Sequence, residues 1–246
     1  MNLLEVTRLV KQYGPRRVVD EVTFHLEQQQ IVGLLGRNGA GKTTTFRMIL
    51  GMVVPESGAV AFDGQDVTEL PMYQRARRKL GYLPQERSDF RRLTVWQNLM
   101  AVLETISLTR AQRNARATEL LAHYGLTKNR DQLAESLSGG ERRKLEIARA
   151  LVTDPKLILL DEPFSGVDPI AVEDLQREVL RLRDEFGKSV LITDHNVAQT
   201  LRVCDRAFII DEGKVKYQGT PREIINDPGV RMTYLGNTFR GDEFDR

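Results

Sequence analysis

The stretch LLGRNGAGKTTT at residues 34–45 follows the apolar run Ile31–Leu35 and leads into FRMILG. Its glycines, Gly36, Gly39 and Gly41, permit backbone conformations closed to other residues, so successive N–H groups can turn toward one centre before Lys42 and Thr43 open a helix. The pattern G-x-x-x-x-G-K-[ST] is met in full, in the strand–loop–helix setting that gives it meaning. Loop amides suit phosphate oxygens, the Lys42 ammonium suits the β- and γ-phosphates, and the Thr43 hydroxyl suits Mg²⁺. A solvated lysine after a glycine-rich turn is the bland alternative, and it does not explain why a buried strand should end there.

Outward from this loop, Leu157–Leu160 and Val190–Thr193 resemble Ile31–Leu35 in being apolar on both faces, the mark of buried parallel strands. Between the last two, Val172, Leu175, Val179, Leu182 and Phe186 fall at helical spacing behind Pro169 and before Gly187, which makes a βαβ unit and an α/β fold with a parallel sheet. The N-terminal phrases LLEVTRLVKQYG, RVVDEVTFHLEQQQ and SGAVAFDGQDV alternate apolar and polar residues, predicting an antiparallel β subdomain. From about Pro84 to Ser138 strand signals give way to helical ones, TVWQNLMAVLE and TRAQRNARATELLAHYG, predicting an inserted α-helical subdomain.

Composition excludes several classes. With 41% hydrophobic and 28% charged residues the chain reads as globular, and a net charge of +2 gives no ground for a nucleic-acid partner. The single cysteine, Cys204, rules out an intramolecular disulfide and, without a signal-like N-terminus, suggests a cytosolic setting. Cys204 shares a helical spacing with Val197 and Leu201 and is expected in the core. No apolar stretch nears the ~20 residues that cross a bilayer, so service to a membrane would come from outside it. The basic run RARRK at 75–79 reads as a solvated face.

A second anion site is suggested by LSGGERRKLEIARALV at 137–152: Ser138, Gly139 and Gly140, followed by Glu141, stand at the positive end of a helix whose apolar side carries Leu145, Ala148 and Leu151. Downstream, KLILLDEPFSGVDP delivers Asp161 and Glu162 at the carboxyl end of a buried strand, where doubly wound sheets bind ligands. Asp161 can serve Mg²⁺, and Glu162 can orient and deprotonate an attacking water. His195 closes LITDHNV within donor reach of a γ-phosphate, Gln85 follows a short strand in LGYLPQE as a contact for the metal shell and water, and Tyr13 in KQYG can stack on a base.

These residues together resemble the ATP-binding subunits of ABC transporters over nearly the whole chain. Tyr13 matches that family's base-stacking aromatic; Gly36, Arg37, Asn38, Gly39, Ala40, Gly41, Lys42, Thr43 and Thr44 match Walker A; Gln85 matches the Q-loop. Leu137–Glu141 matches the LSGGE signature, Leu157–Glu162 Walker B, Asp168 the D-loop and His195 the switch histidine. The resemblance implies a P-loop ATPase using ATP and Mg²⁺, with Glu162, His195, Gln85 and Lys42 catalytic, and Thr43, Gln85 and Asp161 around the metal. It also implies a second copy stacked head to tail, each ATP lying between one P-loop and the other copy's signature, and two transmembrane permease subunits. Membrane contact would come only through these partners, at the cytoplasmic face of a bacterial inner membrane. In the family the loop after Gln85 receives a coupling helix, which assigns Phe90, Arg91 and Arg92 to the partner. The implied layout is one ABC domain: core and β subdomain at 1–84 and 141–225, helical subdomain at 85–140, and a tail at 226–246. Tyr234, Leu235 and Phe239 in that tail could dock on the core or support the dimer. SGVD replaces the frequent SALD, and Arg37 stands where many relatives carry proline or serine; neither change removes a phosphate or metal ligand. Within the family, phrases such as YLPQERSDFRRLTVWQNLMAVLE look most like lipopolysaccharide-export ATPases, with those of branched-chain amino acid importers as the alternative.

Overall fold

Ile31–Leu35 is buried along its whole length, as its unbroken apolar run predicts. The computed structural model describes residues 2–166 and 168–235; the expected end of the tail, Phe239 included, lies outside the described residues. The strands are β1 (Asn2–Tyr13), β2 (Arg16–Glu27), β3 (Ile31–Leu35), β4 (Ser57–Phe62), β5 (Gln65–Asp66), β6 (Leu80–Leu83), β7 (Leu157–Asp161), β8 (Ser189–Asp194), β9 (Arg206–Asp211) and β10 (Lys214–Gly219). The helices are α1 (Lys42–Leu50), α2 (Met72–Arg77), α3 (Val95–Leu103), α4 (Arg110–His123), α5 (Gly139–Leu151), α6 (Pro169–Asp184), α7 (Val197–Leu201), α8 (Pro221–Asn226) and α9 (Pro228–Val230), followed by a short π-helical turn, Arg231–Leu235.

The chain divides into two compact units, Met1–Leu80 with Lys156–Arg246, and Gly81–Pro155. In the first, β10, β9, β3, β8 and β7 lie side by side in that order. β3 is parallel to β8 and to β9, and β7 is parallel to β8. The register aligns Leu35 with Asp194 and Asp161 with Thr193, so the P-loop and the acids leave the sheet at the same edge. The alternating N-terminal phrases form an antiparallel sheet in the order β2-β1-β4-β5. Register shifts near Arg8, whose φ is +45°, explain why burial along β1 does not alternate strictly. Phe24 of β2 packs on Phe208 of β9 with ring centroids 5.3 Å apart, joining the two sheets through apolar contact.

The second unit is helical. Capping boxes at Thr94 and Thr109 start α3 and α4. It runs from Gly81 to Pro155, where strand signals alone mark about Pro84 to Ser138, and α5 packs on α3 within it.

Two sequence expectations are corrected here. Cys204 is buried, but α7 ends at Leu201, and the thiol instead lies over β3, 3.0 Å from where a Cβ on Gly33 would sit. Burial raises its pKa well above the ordinary thiol range. In the RARRK run Arg77, Arg78 and Lys79 are exposed, whereas Arg75 is 1% exposed. Its guanidinium donates to the carbonyls of Met48, Ile49, Leu70 and Thr68, all at 2.7 Å, which is what a buried cation requires in place of water. Among the described residues no helix is long and apolar enough to cross a membrane.

Candidate functional site

The P-loop is shaped by contacts that only glycine allows. Gly36 and Gly41 have φ of +145° and +108°; a Cβ at the first would lie 2.1 Å from the Ile210 carbonyl oxygen and at the second 2.4 Å from that of Val18. The loop is thereby pressed between the ends of β9 and β2, and α1 starts with its free N–H groups facing the loop centre. Lys42 is 3% exposed, and its Nζ donates to Gly36 O at 2.7 Å and Arg37 O at 3.0 Å. Burial lowers its pKa, while the carboxylates of Glu162, Asp194 and Asp161 act on its charge in the opposite sense. Asn38 is exposed, Ala40 buried, and Thr43 and Thr44 half-buried on the first turn of α1.

Across the strand ends, Asp161 accepts a 2.7 Å hydrogen bond from Thr193 Oγ on β8, which fixes the direction of its carboxylate. Glu162 follows at φ +44°, a left-handed conformation rare for residues other than glycine, and its N–H donates to Thr193 O at 2.8 Å. Its Oε2 lies 3.1 Å from Ser165 Oγ and 3.3 Å from His195 Nδ1, and Ser165 Oγ lies 3.1 Å from the same Nδ1. One proton arrangement serves all three groups: Nδ1–H donates to Ser165, and Ser165 donates to Glu162. Asp194, fully buried, accepts from the N–H groups of Phe164 and Asn196, which fastens the turn after β7 to the end of β8. Burial raises its pKa, opposed by those two hydrogen bonds.

The first unit therefore brings Lys42, Asp161, Glu162 and His195 to one edge, as their motifs predict. Sequence reasoning missed Thr193, Asp194 and Ser165. A hydroxyl or carboxylate beside a known site residue was the available signal, and Ser165 follows Glu162 by three positions in a turn. Tyr13 is half exposed at the end of β1 with Lys11 Nζ 5.7 Å from its ring centroid. Asp168 N-caps α6 by accepting from Ala171 N at 3.0 Å. Thr43 and Asp161 offer the hard oxygen donors that Mg²⁺ takes alongside phosphate and water.

The second unit carries Gln85, exposed after β6, and the 137–141 motif. Ser138 and Glu141 form a capping box: Ser138 Oγ accepts from Glu141 N, and Glu141 Oε2 accepts from Ser138 N at 2.9 Å and Oγ at 2.7 Å. Asn129 donates to the other Glu141 oxygen, and these bonds, that of the Ser138 hydroxyl foremost, lower the Glu141 pKa. A Cβ on Gly139 or Gly140 would meet nothing within 4 Å, so packing within the chain does not require glycine there. Phe90 is 47% exposed, its backbone N–H and C=O both bonded to the buried Asn98 side chain, with the Arg149 guanidinium 4.5 Å from its ring centroid. Arg91 and Arg92 beside it are exposed.

A phosphate cradle at a parallel-sheet edge, acids at the same edge two strands away and a signature-type helix start define an ATP-binding cassette. Residues 19–165 match the ABC transporter family, and the chain belongs to that family as one of its ATP-hydrolysing subunits. It is 52% identical to the lipopolysaccharide export system ATP-binding protein LptB of Haemophilus influenzae, over 98% of this chain and 100% of that one. It is 53% identical to the LptB of Escherichia coli K12 over the same shares, and 51% identical to that of Acidithiobacillus ferridurans over 97% of this chain and 98% of the relative. Among solved structures, the ADP conformation of MJ1267, an ATP-binding cassette of an ABC transporter, superposes with a TM-score of 0.85 at 26% identity, covering 96% and 99% of the two chains. CbiO1 from Clostridium perfringens, part of the CbiONQ complex, gives 0.84 at 26% over 92% and 91%.

Proposed function

We propose that this chain is the ATPase of a lipopolysaccharide exporter. It would act at the cytoplasmic face of the bacterial inner membrane, paired head to tail with a second copy beneath two permease subunits of the LptF/LptG kind. The observation that carries the cargo assignment is the 51–53% identity to three LptB proteins over 97–98% of this chain. Hydrolysis rests on the geometry of Glu162.

In this reading the P-loop amides and Lys42 take the β- and γ-phosphates. Lys42 exchanges its bonds to Gly36 O and Arg37 O for phosphate oxygens. Thr43 and Asp161, with Gln85 assigned to the shell, would hold Mg²⁺, which when bound would neutralise charge at the phosphates. Glu162 accepts the proton of the attacking water, with Ser165 fixing the carboxylate's direction, and His195 exchanges its N–H bond to Ser165 for one to a γ-phosphate oxygen. Ser138, Gly139, Gly140 and Glu141 of the second copy close over the same phosphates, with Asp168 at the interface, and Tyr13 stacks on the base. Phe90, Arg91 and Arg92 receive the permease, an apolar anchor flanked by charge.

One preparation tests both parts. Glu162→Gln keeps the shape of the side chain but cannot take a proton. It is expected to retain ATP and lose turnover by at least about a hundredfold. Purified with ATP from native membranes in mild detergent, it should carry lipopolysaccharide-exporter permeases with it. Recovery of amino acid permeases would overturn the cargo; wild-type turnover would remove Glu162 as the base.

A further inference from the structure

Among the described residues, the P-loop is touched by a segment far along the chain that no nucleotide motif includes. Arg37 Nη2 donates to Thr233 O at 3.0 Å, and its guanidinium lies 5.6 Å from the centroid of the Tyr234 ring. Thr233 belongs to the π-helical turn Arg231–Leu235, near whose C-terminal end a carbonyl has no partner within the turn and is free to accept from outside. The Tyr234 phenol also feels the carboxylate of Asp211 at the end of β9, the strand whose Ile210 carbonyl abuts Gly36. Burial first, and Asp211 with it, push the Tyr234 phenol up to about 12, so at neutral pH it keeps its proton.

This segment is docked by apolar contact. Tyr234 and Leu235 pack against the cluster of Leu35, Val197, Leu201, Ile209, Ile225 and Val230. Leu35 is the last residue of the strand before the P-loop, and Val197 opens the helix two residues after His195. The same Arg37 whose side chain is held from outside offers its carbonyl to Lys42 Nζ at 3.0 Å and to Ala40 N at 3.2 Å. A loop rich in glycine has many accessible conformations, and fixing residue 37 at its side chain removes part of that freedom before ligand arrives.

We propose that the Thr233–Tyr234 strap, acting through Arg37, positions the P-loop backbone and, through the carbonyls that hold it, Lys42 for ATP, which makes Arg37, Thr233 and Tyr234 positioning residues for nucleotide binding. The proposal rests on the reading of Gly36–Thr44 as the ATP site.

The test is steady-state ATPase kinetics on the purified full chain, with nucleotide-free thermal unfolding run alongside to separate positioning from stability. Arg37→Ala is expected to raise KM for ATP about fivefold while kcat falls by less than half, because a pre-organising contact acts on binding more than on chemistry. Tyr234→Leu, which removes the ring but leaves Thr233 O, should give the same split to a smaller extent, and the double variant no more than Arg37→Ala alone, since Arg37 makes both contacts. Arg37→Lys, which can reach Thr233 O but lacks the planar face, should recover only part of the affinity. Unchanged KM in Arg37→Ala, or a double variant whose effect is the product of the two singles, overturns the strap. Arg37 is exposed on its loop, so its variant keeps the proposal falsifiable even where Tyr234→Leu does not fold. Lys42→Ala separates the two readings. If it binds ATP as tightly as the unmodified chain, the ATP-site reading has failed. If it loses ATP while Arg37→Ala and Tyr234→Leu are silent, the strap alone has failed.

Discussion

Glu162 occupies a left-handed conformation that costs a residue with a Cβ about 1–2 kcal/mol, and its surroundings offset that cost with a backbone bond to Thr193 O and side-chain contacts to Ser165 and His195. The turn sets the carboxylate beside Ser165 and His195, where β7 and β8 end. Ser165 is the residue that holds it there, bonded at 3.1 Å to both Glu162 and His195. Ser165→Ala removes one hydrogen bond to each without opening a cavity. It should lower kcat about tenfold, the equivalent of roughly 1.4 kcal/mol, and leave KM for ATP within twofold. Phosphate release under saturating ATP measures it; an unchanged kcat would reduce Ser165 to a turn residue. Lys42, Asp161 and Glu162 were legible because fixed spacing carries them. Ser165 and Asp194 were not, because their roles arise only when β7 and β8 lie side by side.

At the scale of elements, α1 presents Lys42 and Thr43 and is fixed at both ends. Its start is wedged by Gly41 against Val18 O; its end closes on Gly51, φ +77°, whose N–H bonds to Met48 O at 3.1 Å. Carbonyls of Met48 and Ile49 in the last turn then point to Arg75, which satisfies them together with Leu70 O and Thr68 O. Arg75→Met fills much of the same volume and supplies no donor, leaving buried carbonyls unpaired. It should cost at least about 3 kcal/mol in urea unfolding, and Arg75→Lys should recover only part, since one ammonium cannot match a planar fork. A loss below about 1 kcal/mol would mean that water or a shifted backbone replaces the guanidinium. The run RARRK hid this role: four basic residues in five read as a solvated face, and only the position of the short helix α2 buries the first of them. The strands were readable for the opposite reason, since a segment buried on both faces must be apolar throughout. The limit of the helical unit was not, because α5 looks the same in sequence whichever neighbour it packs on.

For the whole molecule, the division of phosphate-binding features between two compact units sets the last prediction. The first unit holds the P-loop and Glu162, and the second holds the Ser138–Glu141 capping box with two glycines that packing within the chain does not require. In the proposed dimer those glycines are required by the other copy's ATP. Gly139→Asp adds a carboxylate where a Cβ meets nothing within 4 Å and where the start of α5 favours negative charge, so the variant should fold with stability close to that of the unmodified chain. The same charge would repel an incoming γ-phosphate, and ATPase activity should fall by at least about a hundredfold while the P-loop still binds nucleotide. Lys42→Ala should be inactive for the complementary reason, with its signature helix intact. Mixing equal amounts of the two inactive chains makes about half of the dimers mixed, each with one sound site built from the P-loop of one variant and the signature of the other. About a quarter of all sites are then competent, and activity should return toward that fraction on mixing and follow the proportion of the two chains. If each chain instead completed its own site, no mixture would recover anything, and the head-to-tail arrangement would be lost while the P-loop chemistry stood.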